Sequence, residues 1–161
     1  MFTEVCGIKT NYVCEGSGES ILLLHGWGAN IKLFDTMIKH LSPYYKVYAL
    51  DMAGFGETAE PTEPWAVDDY VDYVLEFCAK MGITETILLG HSFGGRVIIK
   101  MMSRESCPIK VSKIILTDSA GIKPTKSLGS KIRTRVYKIG KGFLSLAPIK
   151  KLFPNALDSL R

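Results

Sequence analysis

Four short apolar runs constrain this chain more than any other feature: ILLL at residues 21–24, KVYAL at 46–50, ILLG at 87–90 and IILT at 114–117. None alternates polar with apolar in the period of two that marks a half-solvated strand, so each reads as a strand buried on both faces. Helical patterns lie between them. Residues 31–42 form one, closed by Ser42-Pro43. In the next, Val67, Tyr70, Val71, Val74, Leu75 and Cys78 recur at helical steps, while Asp68, Asp69, Asp72 and Glu76 occupy the rest of the surface. Residues 93–104 form the third. Strands alternating with helices imply a parallel sheet covered on both faces. An amino-terminal hairpin is expected before it, with Gly16 to Gly18 as its turn.

The chain has 161 residues, of which 47% are hydrophobic, enough for the core of one ordinary domain. Charge divides it. Through Asp118 there are 10 Lys and Arg against 15 Asp and Glu; from Ser119 onward there are 10 against 1. We therefore expect a core at 1–122 and a basic helical segment at 123–161, broken by Pro124, Gly129, Gly140, Gly142, Pro148 and Pro154. Its cations are interleaved with Leu, Ile, Val and Phe, the pattern of a solvated helical face; an anionic substrate or a membrane surface is the alternative. No nucleic-acid-binding motif accompanies the charge, which argues against nucleic acid. No apolar run approaches the roughly 20 residues of a membrane span, and the amino terminus lacks the basic-then-apolar signature of a secretion signal. A cytoplasmic protein is expected. Cys6, Cys14, Cys78 and Cys107 have neither metal-ligand nor CxxC spacing and are expected to be free thiols.

The third run ends abruptly in Gly90-His91-Ser92-Phe93-Gly94 before a helical pattern. Glycines at both ends of such a turn permit a bend too tight for side chains, which exposes the Ser92 hydroxyl and leaves the Phe93 amide to open the helix. That amide can donate to a developing oxyanion. The first run ends in His25-Gly26-Trp27-Gly28, whose glycines let backbone amides turn toward the same carboxyl-terminal end of the sheet, where open α/β sheets bind ligands.

These two motifs, with DMAGFGET at 51–58, resemble those of the α/β-hydrolase superfamily, and the resemblance covers essentially the whole chain. The branch most similar is that of capped esterases and carbon-carbon bond hydrolases, which carry a stretch like DSAGIKP at 118–124 before a helical cap. The resemblance implies a mostly parallel sheet with helices on both faces, incomplete at its carboxyl-terminal side, followed by the start of a cap. It implies Ser92 as nucleophile and the amides of Trp27 and Phe93 as oxyanion hole, with His25, Gly26, Gly28, Gly90 and Gly94 in support. No cofactor and no metal are implied. A serine at the elbow disfavours the dehalogenase and epoxide hydrolase branches, which use an aspartate. His91, beside Ser92 in a strand-like segment, is expected to point to the other side. His40 is expected to be an ordinary exposed residue.

The pattern is incomplete in one respect. In the superfamily the triad order is Ser, then an acid, then His, yet no histidine follows Ser92. Asp118 is a candidate acid, with a capping or turn role preferred. A serine without a base is a poor nucleophile. The chain is therefore expected to be the amino-terminal portion of a longer serine hydrolase, inactive alone, acting on a small-molecule acyl or carbonyl substrate once a carboxyl-terminal segment or a second chain supplies the base. A proteolytic fragment and a natural short product fit equally. The alternative is a noncatalytic ligand-binding module or partner-dependent subunit of the same fold. The run at 114–117 is expected to be an unprotected sheet edge that favours self-association.

Overall fold

A computed structural model of the chain describes residues 1–121; the basic segment expected at 123–161 lies outside them. Six strands form one sheet: β1 (Phe2–Val5), β2 (Ile8–Glu15), β3 (Ser20–Leu24), β4 (Lys46–Leu50), β5 (Glu85–His91) and β6 (Lys110–Thr117). Their spatial order is β1-β2-β4-β3-β5-β6. The four expected strands, β3 to β6, run parallel to their neighbours, while β1 and β2 are antiparallel additions at one edge. Each parallel step is bridged by helix: a 3-10 turn at Ile31–Phe34 with α1 (Asp35–Leu41), then α2 (Val67–Lys80), then α3 (Phe93–Met102).

The pleat divides the apolar runs of β3, β4 and β5 between two cores; the run at 114–117, expected to be buried on both faces, instead exposes Ile114 and Ile115. Leu22, Leu24, Tyr48, Leu50 and Leu88 pack with Val71, Val74 and Phe77 of α2 and Val97, Ile98 and Met101 of α3. On the opposite face Ile21, Leu23, Val47, Ala49, Ile87 and Leu89 pack with Ile31, Phe34 and Ile38. This double burial is why β3, β4 and β5 read as continuous apolar sequence. Truncating a fully buried residue such as Leu22 or Leu88 to alanine costs about 2–5 kcal/mol. Arg104, just past the end of α3, pairs with Asp68 and Asp72 of α2, and Lys100 of α3 reaches Asp68 at 3.1 Å. These are surface pairs, of small energetic weight.

Two expectations need correction. The hairpin turn is Cys6-Gly7, both left-handed at φ 49° and 72°, and not Gly16 to Gly18, which carry the chain from β2 to β3. The missed signal is physical: a cysteine rarely adopts that conformation, and here the Cys6 amide is held by the Glu76 carboxylate at 2.8 Å. Secondly, β6 is eight residues long and not four. It contains Lys110 and Lys113 and pairs with β5 through a register shift at Thr86/Ile87. Among the described residues β6 is nonetheless a sheet edge, with Ile114 44% and Ile115 41% exposed.

Candidate active site

From β3 the chain goes first to β4 on one side and then to β5 on the other, so the loops after β3 and β5 diverge from adjacent strand ends. Such a switch point opens a crevice outside the carboxyl ends of the strands. The register pairs Leu24 with Gly90, which sets His25-Gly26-Trp27-Gly28 beside His91-Ser92-Phe93.

Ser92 itself has φ 49° and ψ −106°, a sparsely populated conformation for a residue with a side chain. The surroundings hold it there. Its amide donates to the Thr117 carbonyl at 3.0 Å, and its carbonyl accepts from Ala120 at 3.0 Å and Arg96 at 3.2 Å. The helix start is pressed onto the strands: a side chain at Gly94 would strike the Leu24 carbonyl, and one at Gly90 would lie 2.5 Å from the Gly95 amide. Gly94 also donates to the His25 carbonyl at 3.0 Å, joining the elbow to the β3 loop. Gly95 is required by Ser119, whose hydroxyl occupies the space a side chain would need.

The β3 loop turns at Gly28, φ 72°, and is closed by the Ala29 amide on the Gly26 carbonyl at 3.1 Å. Gly26 is crowded by both His91 Nδ1 and Ser92 Cβ, at 2.9 and 3.2 Å from the position a Cβ would take. Among the described residues neither the Trp27 amide nor the Phe93 amide has a hydrogen-bond acceptor. Phe93 follows Ser92 at the start of α3, and Trp27 follows Gly26, against which Ser92 Cβ packs.

The histidines separate by their partners. His25 is fully buried; the Met52 amide donates to its Nε2 at 2.9 Å, so the proton sits on Nδ1 and is donated to the Gly26 carbonyl at 2.8 Å. Burial holds its pKa below the usual histidine value. It therefore braces the loop as a neutral ring. His40 is exposed on α1, its Nδ1 at 2.6 Å from the Thr36 carbonyl. The His91 ring lies against Gly26, which Ser92 Cβ also approaches, and its Nδ1 is buried without a partner among the described residues. No hydrogen bond joins it to Ser92 among the described residues. Asp118 is exposed and left-handed, φ 46°, in the turn that clamps the Ser92 backbone, which fits its expected turn role.

An aromatic wall stands over this crevice. Trp27 meets Phe55, Phe93 and Tyr70 at ring separations of 4.9, 5.1 and 6.5 Å, and Trp65 meets Tyr70 at 5.1 Å. Beside it a cleft of about 480 Å³ is lined by Trp27, Phe55, Trp65 and Tyr70, together with Glu60 and Glu63. Tyr70 reads in the sequence as one more core position of α2, and Trp65 as a residue before a helix. Nothing local to either foretells their meeting with Trp27.

Compared with known proteins, residues 19–147 match the family described as alpha/beta hydrolase fold. The chain belongs to the alpha/beta hydrolase fold family. Within it, the chain is 30% identical to 2-hydroxy-6-oxo-6-(2'-aminophenyl)hexa-2,4-dienoic acid hydrolase of Metapseudomonas resinovorans, over 75% of this chain and 42% of that protein. It is 31% identical to the AB hydrolase superfamily protein YisY of Bacillus subtilis, over 71% of this chain and 42% of that one. Among solved structures, the meta-cleavage product hydrolase CumD of Pseudomonas fluorescens superimposes with a TM-score of 0.71 at 29% identity, covering 80% of this chain and 48% of that one. The chain thus spans less than half the length of these hydrolase relatives, and the carbon-carbon bond hydrolase branch is among those it resembles. Among the described residues no helix is long and apolar enough to cross a membrane, and no cluster of His, Cys, Asp or Glu is arranged to hold a metal.

Proposed function

We propose that this alpha/beta hydrolase chain is the nucleophile-bearing part of a serine hydrolase that acts on an ester or related carbonyl substrate through an acyl-enzyme. The observation that carries the reading is a serine held in a strained strand-to-helix turn, with the Trp27 and Phe93 amides free of acceptors among the described residues. In this reading the Ser92 oxygen attacks the carbonyl carbon, and the carbonyl oxygen becomes an anion received by the two amides. Its collapse expels the leaving group and water later frees the acyl group. The cleft along Trp27, Phe55, Trp65 and Tyr70 accepts an apolar or aromatic part of the substrate.

The proton acceptor is not found among residues 1–121. Both ring nitrogens of His25 are engaged, His40 lies on α1, and the buried His91 Nδ1 forms no bond to Ser92. The base, and with it the acid unless Asp118 serves, comes from a carboxyl-terminal segment or a second chain. The reading calls on no cofactor. The four free cysteines suit a reducing compartment, the cytoplasm.

The same absence of a base favours the second reading, a noncatalytic binding module of this fold. A fluorophosphonate probe separates the two. Serine attack on phosphorus displaces fluoride and adds the phosphonyl mass at Ser92. The proposal expects slow labelling of the chain alone, acceleration by added imidazole acting as base, and none in Ser92→Ala. No labelling of Ser92 even with imidazole would favour the binding module.

A further inference from the structure

We propose that Asp51 is a positioning residue for the oxyanion loop; the inference rests on the reading of Ser92 and Trp27 given above. Asp51 is 2% exposed at the end of β4 and meets no cation within ion-pair distance among the described residues. Its carboxylate is satisfied by neutral donors instead. Oδ1 accepts the Ile31 amide at 2.7 Å, and Oδ2 accepts Asn11 Nδ2 at 2.8 Å and the Glu57 amide at 2.9 Å. Burying a carboxylate without a counter-charge is costly unless hydrogen bonds replace its water, which these three donors do.

The placement of those donors carries the argument. Ile31 immediately follows the loop Gly26–Asn30, and His25 immediately precedes it. Ile31 is held by Asp51, and His25 by the amide of the next residue, Met52. Both ends of the loop that carries the Trp27 amide are therefore anchored to two consecutive residues immediately after β4, the strand whose register with β3 pairs Leu24 with Leu50. The 52–57 segment is shaped around the carboxylate: a side chain at Gly56 would collide with it. Asp51 touches neither Ser92 nor the cleft along Trp27. It acts through the loop.

The test is phosphonylation of Ser92 in the whole chain with imidazole as base, resolved by probe concentration into binding (KI) and reaction (kinact), with amide exchange measured alongside. A residue that only stabilises the fold would lower the melting temperature and leave kinact of the folded molecules unchanged. Positioning predicts that Asp51→Ala lowers kinact by on the order of 10²-fold, as for loss of an oxyanion donor, with KI unchanged. The Ile31 amide should exchange faster while Leu22 and Leu88 stay protected. Asp51→Asn keeps one oxygen for Ile31 but turns an N–H toward Glu57, so its kinact should fall between wild type and Asp51→Ala. Should the alanine variant fail to fold, the asparagine variant decides. Wild-type kinact in a folded Asp51 variant, or a loss confined to KI, would overturn the inference. Failure of the wild-type chain itself to label at Ser92 would instead overturn the serine-hydrolase reading, and the positioning role with it.

Discussion

His25 Nε2 receives the Met52 amide at 2.9 Å in a site closed to water, so this ring cannot gain a proton on Nε2 without losing that bond and burying a charge. The bond joins the start of the β3 loop to the loop after β4, and it makes the geometry of the site sensitive to acid.

Stability should fall on mild acidification. The folded pKa of His25 lies below 6.5, its value when unfolded, because burial disfavours the cation. The unfolded chain therefore binds the proton first, and stability is lost as pH falls from about 6.5 toward the folded pKa, with a slope of up to about 1.4 kcal/mol per pH unit from this group. Asp68, held below the usual carboxyl range by Lys100, and Glu76, held there by the Cys6 amide, act only at lower pH. Urea unfolding at pH 7.5 and 5.5 measures the effect. His25→Asn should be less stable at pH 7.5 yet lose less between the two; an unchanged slope would remove His25 as its source.

Gly28→Val tests the oxyanion loop without crowding the core, since no atom lies within 4 Å of the added Cβ. The left-handed φ of 72° is what a β-branched residue resists, so the loop must shift. Ser92 phosphonylation should drop by about 10²-fold or more. Near-normal reactivity would take Trp27 out of the site.

Cys6 should be a sluggish nucleophile although it sits in an exposed turn. Partial burial of the thiol, then its hydrogen bond to Glu76 at 3.1 Å and the charge of that carboxylate, push its pKa up to about 11. At pH 8 iodoacetamide should modify it slowly, and Glu76→Ala should speed the reaction several-fold. Peptide mapping reads both rates.

The edge of the sheet predicts association. With Ile114 and Ile115 exposed on β6, a second copy of the chain can pair along that strand, and light scattering should show mass above 17.8 kDa. Lys110 and Lys113 oppose close pairing at the start of the strand, so the contact should form over its second half. Ile115→Lys should return the monomer. A wild-type chain that is monomeric at all concentrations would argue against an open edge.

The residues themselves show how far the sequence could be read. Residues 21–24, 46–50 and 87–90 declare buried strands because both pleat faces meet helices. The elbow is legible because helix-on-strand contact at Gly90 and Gly94 leaves no room for a side chain. Cys6 hid the hairpin turn, since its left-handed backbone is held by Glu76, seventy residues away. The aromatic wall was equally hidden: Trp27, Phe55, Trp65 and Tyr70 come from three separate segments and meet only once the sheet is assembled. Asp51 belonged to a recognised motif, but its bonds to Asn11, Ile31 and Glu57 are tertiary.

The central claim is that Ser92 attacks while the Trp27 and Phe93 amides receive the anion, and a crystal structure of the chain phosphonylated in the presence of imidazole tests it most directly. The account predicts phosphorus bonded to the Ser92 oxygen and a phosphoryl oxygen within about 2.7–3.1 Å of both amide nitrogens. An adduct on another residue, or a phosphoryl oxygen directed away from both amides, would contradict it.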